Sequence, residues 1–167
     1  HLLTKEAIPI MRKQGFGRII QNSSVLGFAA LRYRGAYNAT KFALEGLTDT
    51  LRLELYDTGI KVILIEPGPI RTKIRENSYP HFKKSIKWKD SPNGSIYEKY
   101  LIPRLEQVDP PMDRFELMPS AVSKAVIHAC TSKNPHNRYR VTLATKIIMI
   151  LKRLLTSKAF DSIARKI

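Results

Sequence analysis

The run "IKVILIEP" at residues 60–67 constrains the fold more than any other stretch: it is almost unbroken β-branched and aliphatic, and Pro67 closes it. A strand with apolar residues at both parities has no face to give to water, so this pattern predicts a central parallel strand covered on both sides. The preceding residues supply its neighbours. Between Gly35 and Thr58 the residues Ala36, Ala39, Ala43, Leu44, Leu47, Leu51 and Leu55 form one broad helical stripe, with Gly59 placed just past the helix end. Further upstream, "RIIQNSS" reads as a short buried strand that delivers Ser23 and Ser24 to the C-terminal edge of a sheet. Residues 2–14 have helical spacing through Leu3, Ala7, Ile10 and Met11, and "GFG" stops them. Strand, helix, strand makes a right-handed βαβ unit the default, and the fold class is α/β.

Composition removes several function classes. A single cysteine, Cys130, allows no internal disulfide, which suits a reducing, cytoplasmic setting. His1, His81, His128 and His136 lie far apart without ligand spacing, so no metal site is expected. The net charge of +15 is unevenly spread: residues 1–66 contribute +3 (9 minus 6) and residues 67–167 contribute +12 (20 minus 8). Such a bias suits an anionic partner, but without spaced aromatics or a reader motif it does not favour nucleic acid. The chain opens on His1 directly in a helical pattern, which reads as part of a longer protein.

Residues 67–118 change character. Pro, Lys, Tyr and Asn are frequent, no apolar period persists, and the expectation is a mobile insertion with one short helix near Ile96 to Leu105. Residues 119–167 then read as helix, strand and helix: "PSAVSKAVIHACTS" has helical spacing, "RYRVTLA" is a plausible third strand, and "TKIIMILKRLL" mixes aliphatic and basic residues. Its apolar core is far shorter than the roughly 20 residues of a bilayer span, leaving two readings: a helix on the sheet, or a basic amphipathic helix on an anionic membrane surface.

The stretch "SSVLGFAALRYRGAYNATK", residues 23–41, carries the chemistry. Four residues apart on a helix, Tyr37 and Lys41 project from one face. An ammonium beside a phenol favours the phenolate, which makes proton transfer with an alcohol or carbonyl oxygen feasible, and a nearby serine hydroxyl can hold that oxygen as charge develops. Tyr-x-x-x-Lys alone is weak, because Tyr79 and Lys83 repeat it around Pro80. The context of Tyr37 is what distinguishes it: a strand, Ser24, thirteen residues, Tyr37 and Lys41 on a strong helix, then a buried strand ending in "EPGPIRT".

With that context, residues 17–74 resemble the C-terminal half of a short-chain dehydrogenase/reductase, and "YNATKFALEGLTDTLRLEL" and "IEPGPIRT" are most similar to the branch acting on retinoids, steroids and other lipophilic alcohols or aldehydes. The resemblance implies the C-terminal half of a Rossmann-type parallel sheet with flanking helices. It implies an enzyme using NADP or NAD, with NADP favoured, to interconvert an alcohol and an aldehyde or ketone. Tyr37 matches the family's general acid/base, Lys41 the residue that tunes it and holds the nicotinamide ribose, and Ser24 the residue that orients the carbonyl, with Ser23 as its rival. Tyr37, Lys41, Pro67, Gly68, Ile70 and Thr72 match the family's cofactor-binding positions. The glycine-rich phosphate turn and the ribose selector are missing from these residues, so they are expected upstream of His1 and the fragment alone is expected to be inactive. Residues 1–66 would be the catalytic core, residues 67–118 a substrate lid, and the helix at 35–58, with Phe42 and Leu53 off its stripe, a homo-oligomer contact. A non-catalytic binding protein on the same fold and a membrane-surface module are the alternatives.

Overall fold

A computed structural model describes residues 1–107 and 111–165. They form two compact units, residues 1–70 with 115–165, and residues 71–107 with 111–114.

The first unit is a three-stranded, all-parallel sheet in the order β1-β2-β3, built from β1 (Gly17–Asn22), β2 (Ile60–Glu66) and β3 (Arg138–Arg140). The run at residues 60–67 is the central strand, as its two-sided hydrophobicity requires. Alternate side chains of β2 go to opposite faces. Ile60 and Val62 join Ile19, Leu51 and Leu55 in one cluster, onto which Ile8, Met11 and Leu47 of α1 (Leu2–Gln14) and α2 (Gly35–Glu54) pack. Ile63 and Ile65 join Ala129 in a second cluster, with Val122, Ala125 and Val126 of α6 (Pro119–Thr131) against them. Arg18 clamps the end of that helix to β1, donating to the carbonyls of Ala129 at 2.8 Å and Ser132 at 2.6 Å.

Two boundaries differ from the sequence reading. The stop after α1 is Gly15, in the left-handed region at φ 76°. The long helix instead ends at Glu54, four residues short of Thr58, and Gly59 is not its cap. Residues 55–58 turn, with the Thr58 hydroxyl donating to the Leu55 carbonyl at 2.7 Å. Gly59 is required for close approach: a Cβ there would stand 2.0 Å from the Gly15 carbonyl oxygen. The third strand is only three residues long, because Thr142 already caps α7 (Leu143–Leu154), accepting from the Thr145 amide at 3.2 Å. A last helix, α8 (Ser157–Ala164), follows.

The second unit is helical. Its α3 (Ile74–Ser85) was not foreseen, and the helical turns of α4 (Gly94–Ile96), a π turn at Tyr97–Leu101 and α5 (Ile102–Glu106) cover the one helix that was. Polar contacts rather than an apolar stripe hold α3: Arg75 and Arg104 both reach Asp113, at 3.2 and 3.4 Å, and the Tyr79 hydroxyl donates to Glu106. Phe82 and Tyr97 place their rings 6.1 Å apart.

Candidate active site

The C-terminal ends of β1 and β2 are tied together beyond their strands. The Ser23 amide donates to the Ile65 carbonyl and the Val25 amide to the Pro67 carbonyl, both at 2.8 Å. This fixes Ser24 beside the Pro67–Gly68 turn. Ser24 has extended backbone geometry and caps a short turn at Val25–Gly27, its Oγ accepting from the Leu26 amide at 3.2 Å. A hydroxyl that accepts in this way keeps its own proton to donate. Ser23 is different: it is buried, and a Cβ on Gly27 would lie 2.6 Å from its Oγ. Of the two serines, Ser24 is the one open to a ligand.

Tyr37 occupies the first turn of α2 and is 42% exposed. Lys41, one turn on, points its Nζ back to the Asn22 carbonyl at 2.8 Å and stands 5.7 Å from the centre of the Tyr37 ring. That bond ties the helix carrying the tyrosine to the strand end carrying Ser24. The chain entering α2 is also held, because the Asn38 amide group donates to the Leu31 carbonyl at 3.0 Å. Tyr33, within this loop, adopts the left-handed conformation at φ 59°, which is uncommon for a residue with a Cβ.

Gly68 is packed so closely that a Cβ would come 2.1 Å from Thr142 Oγ1 and 2.5 Å from Thr145 Oγ1. Both threonines are fully buried and bonded to each other at 2.9 Å, so neither has room to retreat. Gly68→Ala is therefore expected to cost about 1–3 kcal/mol, as overpacking of a filled interior does, and a thermal melt checks it: an unchanged midpoint would contradict this packing. Ile70 forms a parallel bridge with Leu117, while the Pro69 carbonyl accepts from the Leu117 amide at 3.1 Å. Ser24, Tyr37, Lys41, Pro67, Gly68 and Ile70 all belong to the first unit. Thr72 belongs to the second, where its Oγ1 accepts from the Ile74 amide at 3.3 Å.

Sequence reasoning missed the ion cluster behind this face. Arg138 of β3 donates to Glu45 and Glu66 through one nitrogen, and through the other to both oxygens of Asp49, at 2.7 and 2.6 Å. Arg140 lies 3.1 Å from Glu66, and Arg52 bonds Asp49 at 2.6 Å. Glu45 follows Lys41 by one helical turn, so the cluster fastens the helix that carries Tyr37 and Lys41 to the outer strand β3 and the central strand β2. Burial pushes the Glu66 carboxyl above the usual glutamate range, against the pull of Arg138, and Glu45 adds to the rise. Asp49 goes the other way: partial burial raises it, but bonds from Arg52 and Arg138 outweigh that and hold it low. One signal for the cluster was present, a carboxylate ending a strand that is apolar from Val62 to Ile65, since a buried charge needs a partner.

The residues suit a nicotinamide cofactor by their chemistry. The Lys41 ammonium and the Ser24 hydroxyl lie at the C-terminal end of β1, with the Tyr37 ring 5.7 Å from that ammonium, and the C-terminal ends of the strands are where open α/β sheets bind such ligands. A short chain dehydrogenase family model matches residues 1–82. The uncharacterized oxidoreductase YbbO of Escherichia coli K12 is 42% identical over 98% of this chain and 54% of its own length. The rat 17-beta-hydroxysteroid dehydrogenase type 6 is 30% identical over 89% of this chain and 48% of its own length. Among solved structures, the closed form of a serine dehydrogenase complexed with NADP+ is 26% identical with a TM-score of 0.56, covering 85% of this chain and 50% of that one. The chain thus spans about half the length of these relatives. With the parallel sheet, the Ser24, Tyr37 and Lys41 spacing and these matches together, the chain belongs to the short-chain dehydrogenase/reductase family.

Proposed function

We propose that the whole protein is an NAD(P)-dependent oxidoreductase that interconverts an alcohol and an aldehyde or ketone, and that this chain supplies its acid/base half. The observation that carries the proposal is the pairing of Tyr37 with Lys41 at the sheet edge, with Lys41 anchored on Asn22 and Ser24 next but one along the chain. A nicotinamide cofactor, when bound, supplies or accepts the hydride. The Tyr37 hydroxyl donates its proton to the carbonyl oxygen during reduction and takes it back during oxidation. The Lys41 ammonium favours the phenolate that remains, and Ser24 donates to the same oxygen as negative charge gathers on it. Pro67, Gly68, Ile70 and Thr72 are assigned to the cofactor on the family pattern alone, as is the preference for NADP. A lipophilic substrate is favoured by the likeness of "YNATKFALEGLTDTLRLEL" and "IEPGPIRT" to the retinoid and steroid branch. Phe42, 43% exposed, and Leu53, 74% exposed, on α2 favour a homo-oligomer through that helix.

The test is oxidation of NADPH and NADH by the full-length protein and by residues 1–167, against a panel of lipophilic aldehydes and ketones. Turnover by the full-length protein is expected with at least one carbonyl. The segment, which holds no glycine-rich phosphate turn, is expected to lose nearly all of it. Full rates from the segment would contradict the division of labour, and a full-length protein inactive with every carbonyl and both cofactors would contradict the reaction.

A further inference from the structure

The helix α7 presents an apolar stripe to solvent. Leu143 (58% exposed), Ile147 (40%), Ile150 (49%) and Leu154 (77%) follow one another at steps of four, three and four residues, which puts them within an arc of about 60°. The opposite side of the helix is fixed, since Thr145 is fully buried there and Thr145 and the capping Thr142 both press on Gly68. The stripe cannot turn inward without breaking that packing.

Charge says what covers it. Lys146 and Arg153 border the stripe along one side. Residues 143–165 hold Lys146, Lys152, Arg153, Lys158 and Arg165 against a single acid, Asp161. Lys152 is occupied over the Phe160 ring at 4.9 Å, while no carboxylate pairs with Lys146, Arg153 or Lys158 among the described residues. We infer that this stripe docks on an anionic phospholipid surface, with α7 lying in the interface plane, its four aliphatic residues among the upper acyl chains and Lys146 and Arg153 at the phosphates. The helix is about 18 Å long by its rise per residue, well short of the roughly 30 Å of a bilayer core, and no described helix is long and apolar enough to cross a membrane. Two other occupants fit less well. Protein interfaces favour aromatic residues and avoid lysine, whereas this stripe is wholly aliphatic beside lysine. An antiparallel second copy would set Lys146 against the partner helix's equivalent of Arg153, like charge on like.

This inference does not depend on the proposed reaction. Full-length protein is sedimented with vesicles of phosphatidylcholine, and with vesicles of phosphatidylcholine mixed with phosphatidylserine. Binding is expected on the anionic vesicles only, and weaker at high salt. Lys146→Gln with Arg153→Gln is expected to lower the partition coefficient about 30-fold, from about fivefold per charge near an anionic surface. Ile147→Ser with Ile150→Ser is expected to abolish it. All four side chains are exposed, and unchanged circular dichroism confirms that the variants fold. No sedimentation with anionic vesicles, equal sedimentation with both compositions, or binding indifferent to either pair of substitutions would overturn the inference. So would a concentration-dependent dimer, formed without vesicles, that the Ile147→Ser and Ile150→Ser substitutions dissociate.

Discussion

Replacing Arg138 with alanine is expected to lower the stability of the protein by about 3–5 kcal/mol, the range for breaking a buried ion cluster by removing one partner. Glu66 has no exposed surface and Glu45 very little, so neither carboxylate can recover in water what it loses when the guanidinium goes. The midpoint of thermal unfolding would fall by about 6–20 °C, at roughly 2–4 °C per kcal/mol for a chain of this size. Arg138→Met combined with Glu45→Gln and Glu66→Gln is expected to regain much of the loss, because no buried charge is then left unpaired. A single Arg138→Ala variant that melts like the wild type would show that the cluster is not formed.

The same cluster fixes a pH signature. Glu66 titrates above its ordinary range in the folded state, so between the two values the folded chain holds more of this proton than the unfolded chain does, and stability falls as pH rises through that window. Asp49 titrates below its ordinary range, so it contributes stability at neutral pH that is lost as acid takes the pH down through its lowered value. Without Arg138, Glu66 loses its cation and resists ionisation further, while Asp49 loses part of its support. Both changes make the deficit of Arg138→Ala smallest in acid and larger as pH rises towards neutrality. Denaturation midpoints of both proteins across that range provide the check, and a deficit that shrinks with rising pH would reverse the assignment.

Legibility in the sequence follows the range of the interactions. The strand at residues 60–66 and the helix at 35–54 were readable because burial imposes a local period on apolar residues. The helix at 2–14 was read from Leu3, Ala7, Ile10 and Met11, yet Leu3 and Ile10 are exposed and it packs through Ile8 and Met11. The end of α2 was misplaced because a glycine past a helix has two uses, a left-handed cap or a close approach, and spacing alone does not separate them. Gly15 serves the first and Gly59 the second. The helix α3 escaped because Arg75, Asp113, Tyr79 and Glu106 hold it by polar bonds across its unit and Pro80 lies inside it. In the site, Tyr37, Lys41 and Ser24 share a strand-to-helix connection, so their offsets carry the message. Choosing Ser24 over Ser23 rested on the thirteen-residue spacing, and burial of Ser23 supports the same choice. Arg138 gave no local sign, since Glu45 lies 93 residues away in the chain and the cluster exists only once β3 is docked.

The most direct test of the account is the rate of carbonyl-dependent NADPH or NADH oxidation by full-length protein with and without Tyr37→Phe. The substitution removes one hydroxyl from a partly exposed ring and leaves the Lys41 bond to Asn22 in place, so folding is expected to be unchanged. Loss of a positioned general acid/base predicts a fall in kcat/KM of about 10²–10⁴-fold. A Tyr37→Phe protein that binds cofactor normally and turns over at the wild-type rate would contradict the central claim and place the proton transfer on a different residue.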